Sequence, residues 1–211
     1  MRKRIKMVTD TSVSVTIVLA ILLFFPITAD ASNSVRVKGE KGDWSLYVNG
    51  RPFEIKGVGV GRVFGKTNIN YLKMARELGA NTVRTWGIDQ GTREYLQHAK
   101  RNDLYVNAGI WINPVTPGAC SFLGDSACKE DLRKEILDYV RKNKNHPSIL
   151  FWNIGNEAIH WTKSERERVA IAKFLEEIVQ AVKRIDPNHP VIYTSPSTMD
   201  VDYIAKYVPS L

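Results

Sequence analysis

From residue 53 onward the chain alternates short apolar runs with longer stretches whose apolar residues recur every three or four positions. Residues 53–60 open with strict alternation and read as a first core strand. Residues 81–86, 104–112, 148–153 and 191–194 are compact apolar runs and read as four more strands. Helices are expected over residues 68–78, ended by Gly79, and over 93–101 and 130–142. The longest helix is expected over 164–185, where Ile171, Phe174, Leu175, Ile178 and Val182 form one stripe and Asp186-Pro187 stops it. A short helical piece is expected near 201–207. Upstream, Val35-Arg36-Val37 and Trp44–Val48 flank a polar turn, and Asn49-Gly50 is a tight-turn signal. Residues 32–52 therefore read as a short antiparallel strand pair, expected to cover the N-terminal face of the strands from residue 53 onward.

Strands alternating with helices of this length predict βαβ units and a parallel sheet. Two closures compete, an open doubly wound sheet and a barrel. A dinucleotide-binding sheet wants a glycine-rich turn directly after a strand, but Gly57-Val58-Gly59-Val60-Gly61 falls largely within one and lacks the correctly spaced third glycine. The full phosphate-loop pattern Gly-x4-Gly-Lys-Ser/Thr does not occur, since Gly65-Lys66-Thr67 has Val60 where the first glycine is needed. Because the recognisable polar groups follow strands, the expected fold is α/β, a parallel (β/α) TIM-barrel type over residues 53–211. About five of the eight units that such a barrel needs can be read.

The first 31 residues stand apart. Arg2, Lys3, Arg4 and Lys6 precede an apolar stretch over residues 13–27, and Ala29-Asp30-Ala31 has the small-x-small pattern of a cleavage site. A cleaved export signal is expected, with an uncleaved membrane anchor as the alternative. Either places the protein outside the cytoplasm or on the outer face of its membrane. The formal charge is +8 at pH 7. The basic residues are dispersed, without the dense stripe or interleaved aromatics of a nucleic-acid groove, so no nucleic-acid partner is expected. Cys120 and Cys128 are close together; for an exported chain a disulfide is reasonable, with two free thiols as the alternative. No metal site is expected, since His146, His160 and His189 bear no spacing relation to these thiols, and no cofactor is expected.

The densest chemistry is in residues 146–157, His-Pro-Ser-Ile-Leu-Phe-Trp-Asn-Ile-Gly-Asn-Glu. An apolar strand here delivers an amide, Asn156, and a carboxylate, Glu157, at its C-terminal end, which is the catalytic face of a β/α barrel. Cleavage of a glycosidic bond takes two carboxyl groups, and Glu157 suits the proton-donating one. The plain alternative is that Asn156-Glu157 caps the loop into the next helix. Arg84 ends a buried strand and wants a carboxylate partner, structural or catalytic. Trp86, Trp111 and Trp161 fall at or just past strand ends, where indoles either stack on sugar rings or pack the rim. Asn113 and His160 are weaker candidates for substrate contact.

The segments 51–58, 78–86 and 146–157 resemble the retaining β/α-barrel glycoside hydrolases, most closely the catalytic domain of the β-galactosidase/β-glucuronidase family. The resemblance covers residues 43–205. It implies that Glu157 is the acid/base, that Asn156 binds the sugar 2-hydroxyl and that Arg84 supports the nucleophile. It also implies an oligo- or polysaccharide substrate. The family's nucleophile is a glutamate after the seventh strand, and no glutamate follows Glu177 here. Asp200, after the last strand, is the nearest substitute. The expected activity is hydrolysis or transfer at β-glycosidic bonds, with the nucleophile outside these 211 residues. The alternatives are a noncatalytic carbohydrate-binding protein and a fragment that needs a partner segment. An incomplete barrel has unpaired strand edges, which predicts self-association.

Overall fold

A computed structural model describes residues 32–113, 119–162 and 164–211. The export segment read in residues 1–31 lies outside them. Three strands, β1 (Val35–Glu40), β2 (Asp43–Val48) and β3 (Arg51–Pro52), form an antiparallel sheet in that order. The hairpin is thus extended by a two-residue strand, reached through Asn49 and Gly50, both at positive φ. Strands β4 (Gly57–Gly59), β5 (Thr82–Arg84), β6 (Tyr105–Ile110), β7 (Ile149–Asn156) and β8 (Val191–Thr194) form a second sheet in sequence order, and every pairing is parallel. Helices α1 (Tyr71–Glu77), α2 (Arg93–Arg101), α3 (Ser126–Asn143), α4 (Glu165–Ile185) and α5 (Thr198–Tyr207) alternate with these strands. The result is a partial parallel (β/α) barrel. Among the described residues, β4 and β8 have no neighbour on their outer sides.

Each of the first four helices begins where a polar side chain satisfies its first free amides. Asn70 accepts from the Lys73 amide, Thr92 from Tyr95, Asp125 from Cys128 and Ser164 from Glu167. The Asp125 cap explains why α3 starts four residues before the apolar periodicity does. The stripe of α4 is buried throughout, from Ile171 to Val182, against β7 and β8.

A second, smaller cluster joins the two sheets. Val35, Val48, Leu150 and Phe151 are buried together, with Leu46, Phe53, Tyr105 and Ile192 packed around them. Tyr105, Leu150 and Ile192 lie at the starts of their strands, so the antiparallel sheet covers the N-terminal end of the barrel. Among the described residues, no sheet covers the opposite end. There β7 runs three residues beyond the expected strand, because Asn156 still pairs with Thr194 across a register shift.

Candidate active site

The open end gathers the tips of β5, β7 and β8. Arg84 closes β5 and Asn156 closes β7. Arg84 Nη2 donates to Asn156 Oδ1 at 2.5 Å, a bond that reaches past the intervening β6. The Arg84 guanidinium also lies 5.3 Å from the Trp86 ring. Among the described residues, Arg84 is thus held by an amide oxygen and an aromatic face. Its Nε is buried without a hydrogen-bond partner among the described residues. Burial pulls the guanidinium below its ordinary pKa, and the nearby charge of Glu157 pushes it back up.

Glu157 follows directly, at φ +57°, and is half-buried. Its amide donates to Thr194 O at 2.9 Å, which ties it to the tip of β8. Its Oε2 accepts from Trp161 Nε1 at 3.0 Å. Trp161 is 57% exposed, and its ring meets His160 edge-on at 5.2 Å. Trp111, just past β6, is 45% exposed. Trp86 differs, because it is packed under β4: a Cβ on Gly59 would come within 2.5 Å of Trp86 Cη2. Two of the three tryptophans therefore offer open faces, and the third braces Arg84. Asn113 is half-buried in the loop after β6.

Asp200 does not stand in for a second cleft carboxyl. It is fully buried on α5, accepts from the Tyr193 hydroxyl at 3.1 Å and lies 3.9 Å from His160 Nδ1. His160 accordingly faces α5, with Ser197 Oγ 3.5 Å from the same ring nitrogen. Tyr193, which reads in the sequence only as part of an apolar strand, links β8 to the turn after β7 by accepting from the Ile159 amide at 3.0 Å. No motif signals that role. Away from the tips, Cys120 and Cys128 are joined in a disulfide, Cα–Cα 5.6 Å, that closes the loop into α3. Among the described residues, no three His, Cys, Asp or Glu side chains cluster as metal ligands would.

Parallel strands whose polar residues collect at their C-terminal tips define a partial (β/α) barrel of the enzyme type. Residues 35–209 match Glycosyl hydrolases family 2, TIM barrel domain, and the chain belongs to this family of glycosidase catalytic domains. It is 30% identical over 172 residues to the β-glucuronidase of Rattus norvegicus, covering 76% of this chain and 24% of that protein. The β-glucuronidase of Bacteroides fragilis is 26% identical over 142 residues, 64% of this chain and 19% of that one. The chain thus spans about a fifth to a quarter of the length of these curated relatives. Among solved structures, a β-glucuronidase of Bacteroides uniformis superposes with a TM-score of 0.62 at 17% identity, covering 83% of this chain and 22% of that one. A β-galacturonidase of Eisenbergiella tayi gives 0.56 at 21% identity, covering 77% and 28%. At these identities the structures speak to the fold alone.

Proposed function

We propose that the chain carries the acid/base half of a retaining glycosidase site acting on β-linked glycans, with Glu157 as the proton donor. The observation that supports this most is the pairing at the tip of β7. Asn156 is held by Arg84 and Glu157 is contacted by an exposed indole, on the face where barrel enzymes place their chemistry. In this reading Trp161 and Trp111 stack on sugar rings, Asn156 takes the hydroxyl next to the reacting carbon, and Arg84 supports the attacking carboxylate. That second carboxylate comes from a segment outside these 211 residues, and β-glucuronides are the first substrates to try, given the relatives. The open edge at β4, beside a groove of about 630 Å³ lined by Val58, Val60, Met74 and Leu78, is where such a segment or a second copy pairs. Export is part of the same proposal, supported by the basic and apolar leader and by the disulfide.

An external nucleophile tests the role of Glu157 without the missing carboxylate. With azide and a phenyl β-glycoside, azide attacks the anomeric carbon from the face opposite the leaving group. Glu157 protonates the departing phenol, and the product is the α-glycosyl azide. Glu157→Gln is expected to slow this by about 10²-fold or more, the usual range for general acid catalysis. With a dinitrophenyl leaving group, which needs no proton, the variant is expected to match the wild type. Equal rates on the phenyl substrate overturn the assignment. The exposed tryptophans favour one second reading, sugar binding without cleavage. Quenching of tryptophan fluorescence by a glycan, with no azide product at all, selects it.

A further inference from the structure

Tyr193 and Asp200 have no part in the proposed bond cleavage, yet both are built into the turn that carries it. The chain reaches the tip of β7 through Gly155 at φ +85° and leaves through Glu157 at φ +57°. A glutamate in the left-handed region is strained, and such a conformation persists only where its surroundings over-determine it. Those surroundings are β8 and α5. The Tyr193 ring lies against Gly155 so closely that a Cβ there would come 3.0 Å from Cε2. The Tyr193 hydroxyl accepts from the Ile159 amide at 3.0 Å and donates to Asp200 Oδ2 at 3.1 Å. One side chain therefore grips the turn on both sides of Glu157, and its single hydroxyl proton is directed by a carboxyl that is 0% exposed. The other carboxyl oxygen, Oδ1, is buried without a hydrogen-bond partner among the described residues and faces His160. A buried carboxyl this poorly satisfied is an unfavourable way to fill a helix face, and departures of that kind concentrate at functional sites.

We propose that Asp200 is a positioning residue for Glu157: through the Tyr193 hydroxyl it fixes the strained turn over residues 155–159 that aims Glu157 and Trp161 at the cleft. Its functional meaning rests on Glu157 being the proton donor, but the geometry does not. Asp200 meets no substrate in this scheme and acts only through Tyr193 and the turn.

The test is NMR on the full chain. The Trp161 indole N–H resonance, assigned with Trp161→Phe, reports the Glu157 carboxyl, because it donates to Oε2. In the wild type it is expected to move as pH is lowered, and in Glu157→Gln to stay still. Tyr193→Phe keeps the ring on Gly155 and removes only the hydroxyl. Asp200→Asn keeps the size but leaves one acceptor where two oxygens stood. In each variant the coupled movement is expected to shrink by more than half, while amide resonances in α2, β6 and α4 hold their wild-type positions. A movement unchanged in either variant overturns the proposal. So does a wild-type indole that ignores Glu157, or a perturbation spread through α2, β6 and α4, which marks a merely structural loss. The outcome is separable from the azide experiment. Loss of coupling with no azide product retains the brace and removes the acid, whereas azide product with unaltered coupling does the reverse.

Discussion

Asp186 and Asp200 are both buried, 2% and 0% exposed, yet their carboxyls settle on opposite sides of the ordinary aspartate value of 3.8. Asp186 ends α4, towards the covered end of the barrel. Burial pushes it up, but hydrogen bonds from His189 Nδ1 at 2.7 Å, Trp152 Nε1 at 2.7 Å and the Asn188 amide at 3.0 Å bring it below that value. Asp200, at the open end, is raised by burial; Tyr193 and then His160 oppose the rise without cancelling it, and the Glu157 charge adds to it. One end of the sheet gives a buried carboxylate three donors; at the other, Tyr193 and His160 face the carboxylate, and Oδ1 has no hydrogen-bond partner within range among the described residues. The first arrangement makes a stable floor. The second keeps tension next to Glu157, the proposed proton donor, which fits the division of labour between the two faces of a β/α barrel.

The contrast breaks most visibly at the floor. Asp186→Ala removes the acceptor from two buried groups, Trp152 Nε1 and His189 Nδ1, and is expected to cost about 1–3 kcal/mol for each one left unsatisfied in urea unfolding. A loss below about 1 kcal/mol, the size of one ordinary hydrogen bond, would erase the difference between the two ends. Substitution at the open end has the opposite sign. Glu157→Gly relieves a left-handed L-residue, and the unfolded-state entropy of glycine offsets part of the gain. A net stabilisation of about 0.5–1 kcal/mol is expected in the same assay. A destabilised Glu157→Gly would show that the turn is not strained.

The floor and the tips were unequally legible in the sequence. The apolar runs of β6 and β8 and the stripe of α4 stand almost where periodicity put them, because they carry the apolar positions that pack into the core. The end of β7 was harder to see. Asn153, Gly155 and Asn156 are poor strand formers, and the strand continues through them only because Thr194 pairs with Asn156 and Asn153 bonds Thr194 at 2.9 Å. Asn156-Glu157 stood out because an amide and a carboxylate are consecutive at a strand end. Tyr193 and Asp200 were not, since their roles depend on where α5 begins. With α5 starting at Thr198, three residues before the expected 201, Asp200 is in its first turn and faces inward. The two exposed tryptophans and the packed Trp86 share one sequence position type, and only the approach of Gly59 separates them.

The smallest expected effect is in the pH dependence of stability, where the two aspartates pull against each other. Asp186 is lowered in the fold, so its contribution is complete above 3.8 and is lost as pH falls through its folded value. Asp200 is raised, so the fold holds its proton more tightly than the unfolded chain does. Its contribution is full below 3.8 and drains away as pH rises from there through its folded value. On acidification from neutrality Asp200 therefore adds stability before Asp186 removes it. The groups facing Asp200 are Tyr193 from β8 and His160 and Glu157 from the turn, so Asp200→Asn isolates the effect best, by deleting the charge and keeping the shape. Its urea midpoint is expected to exceed the wild type at pH 7 and to converge on it as pH falls below 3.8. A difference that is constant across that range would mean that the Asp200 carboxyl does not change its charge between the folded and unfolded chain, and the tension assigned to the open end would have to come from the backbone of Glu157 alone.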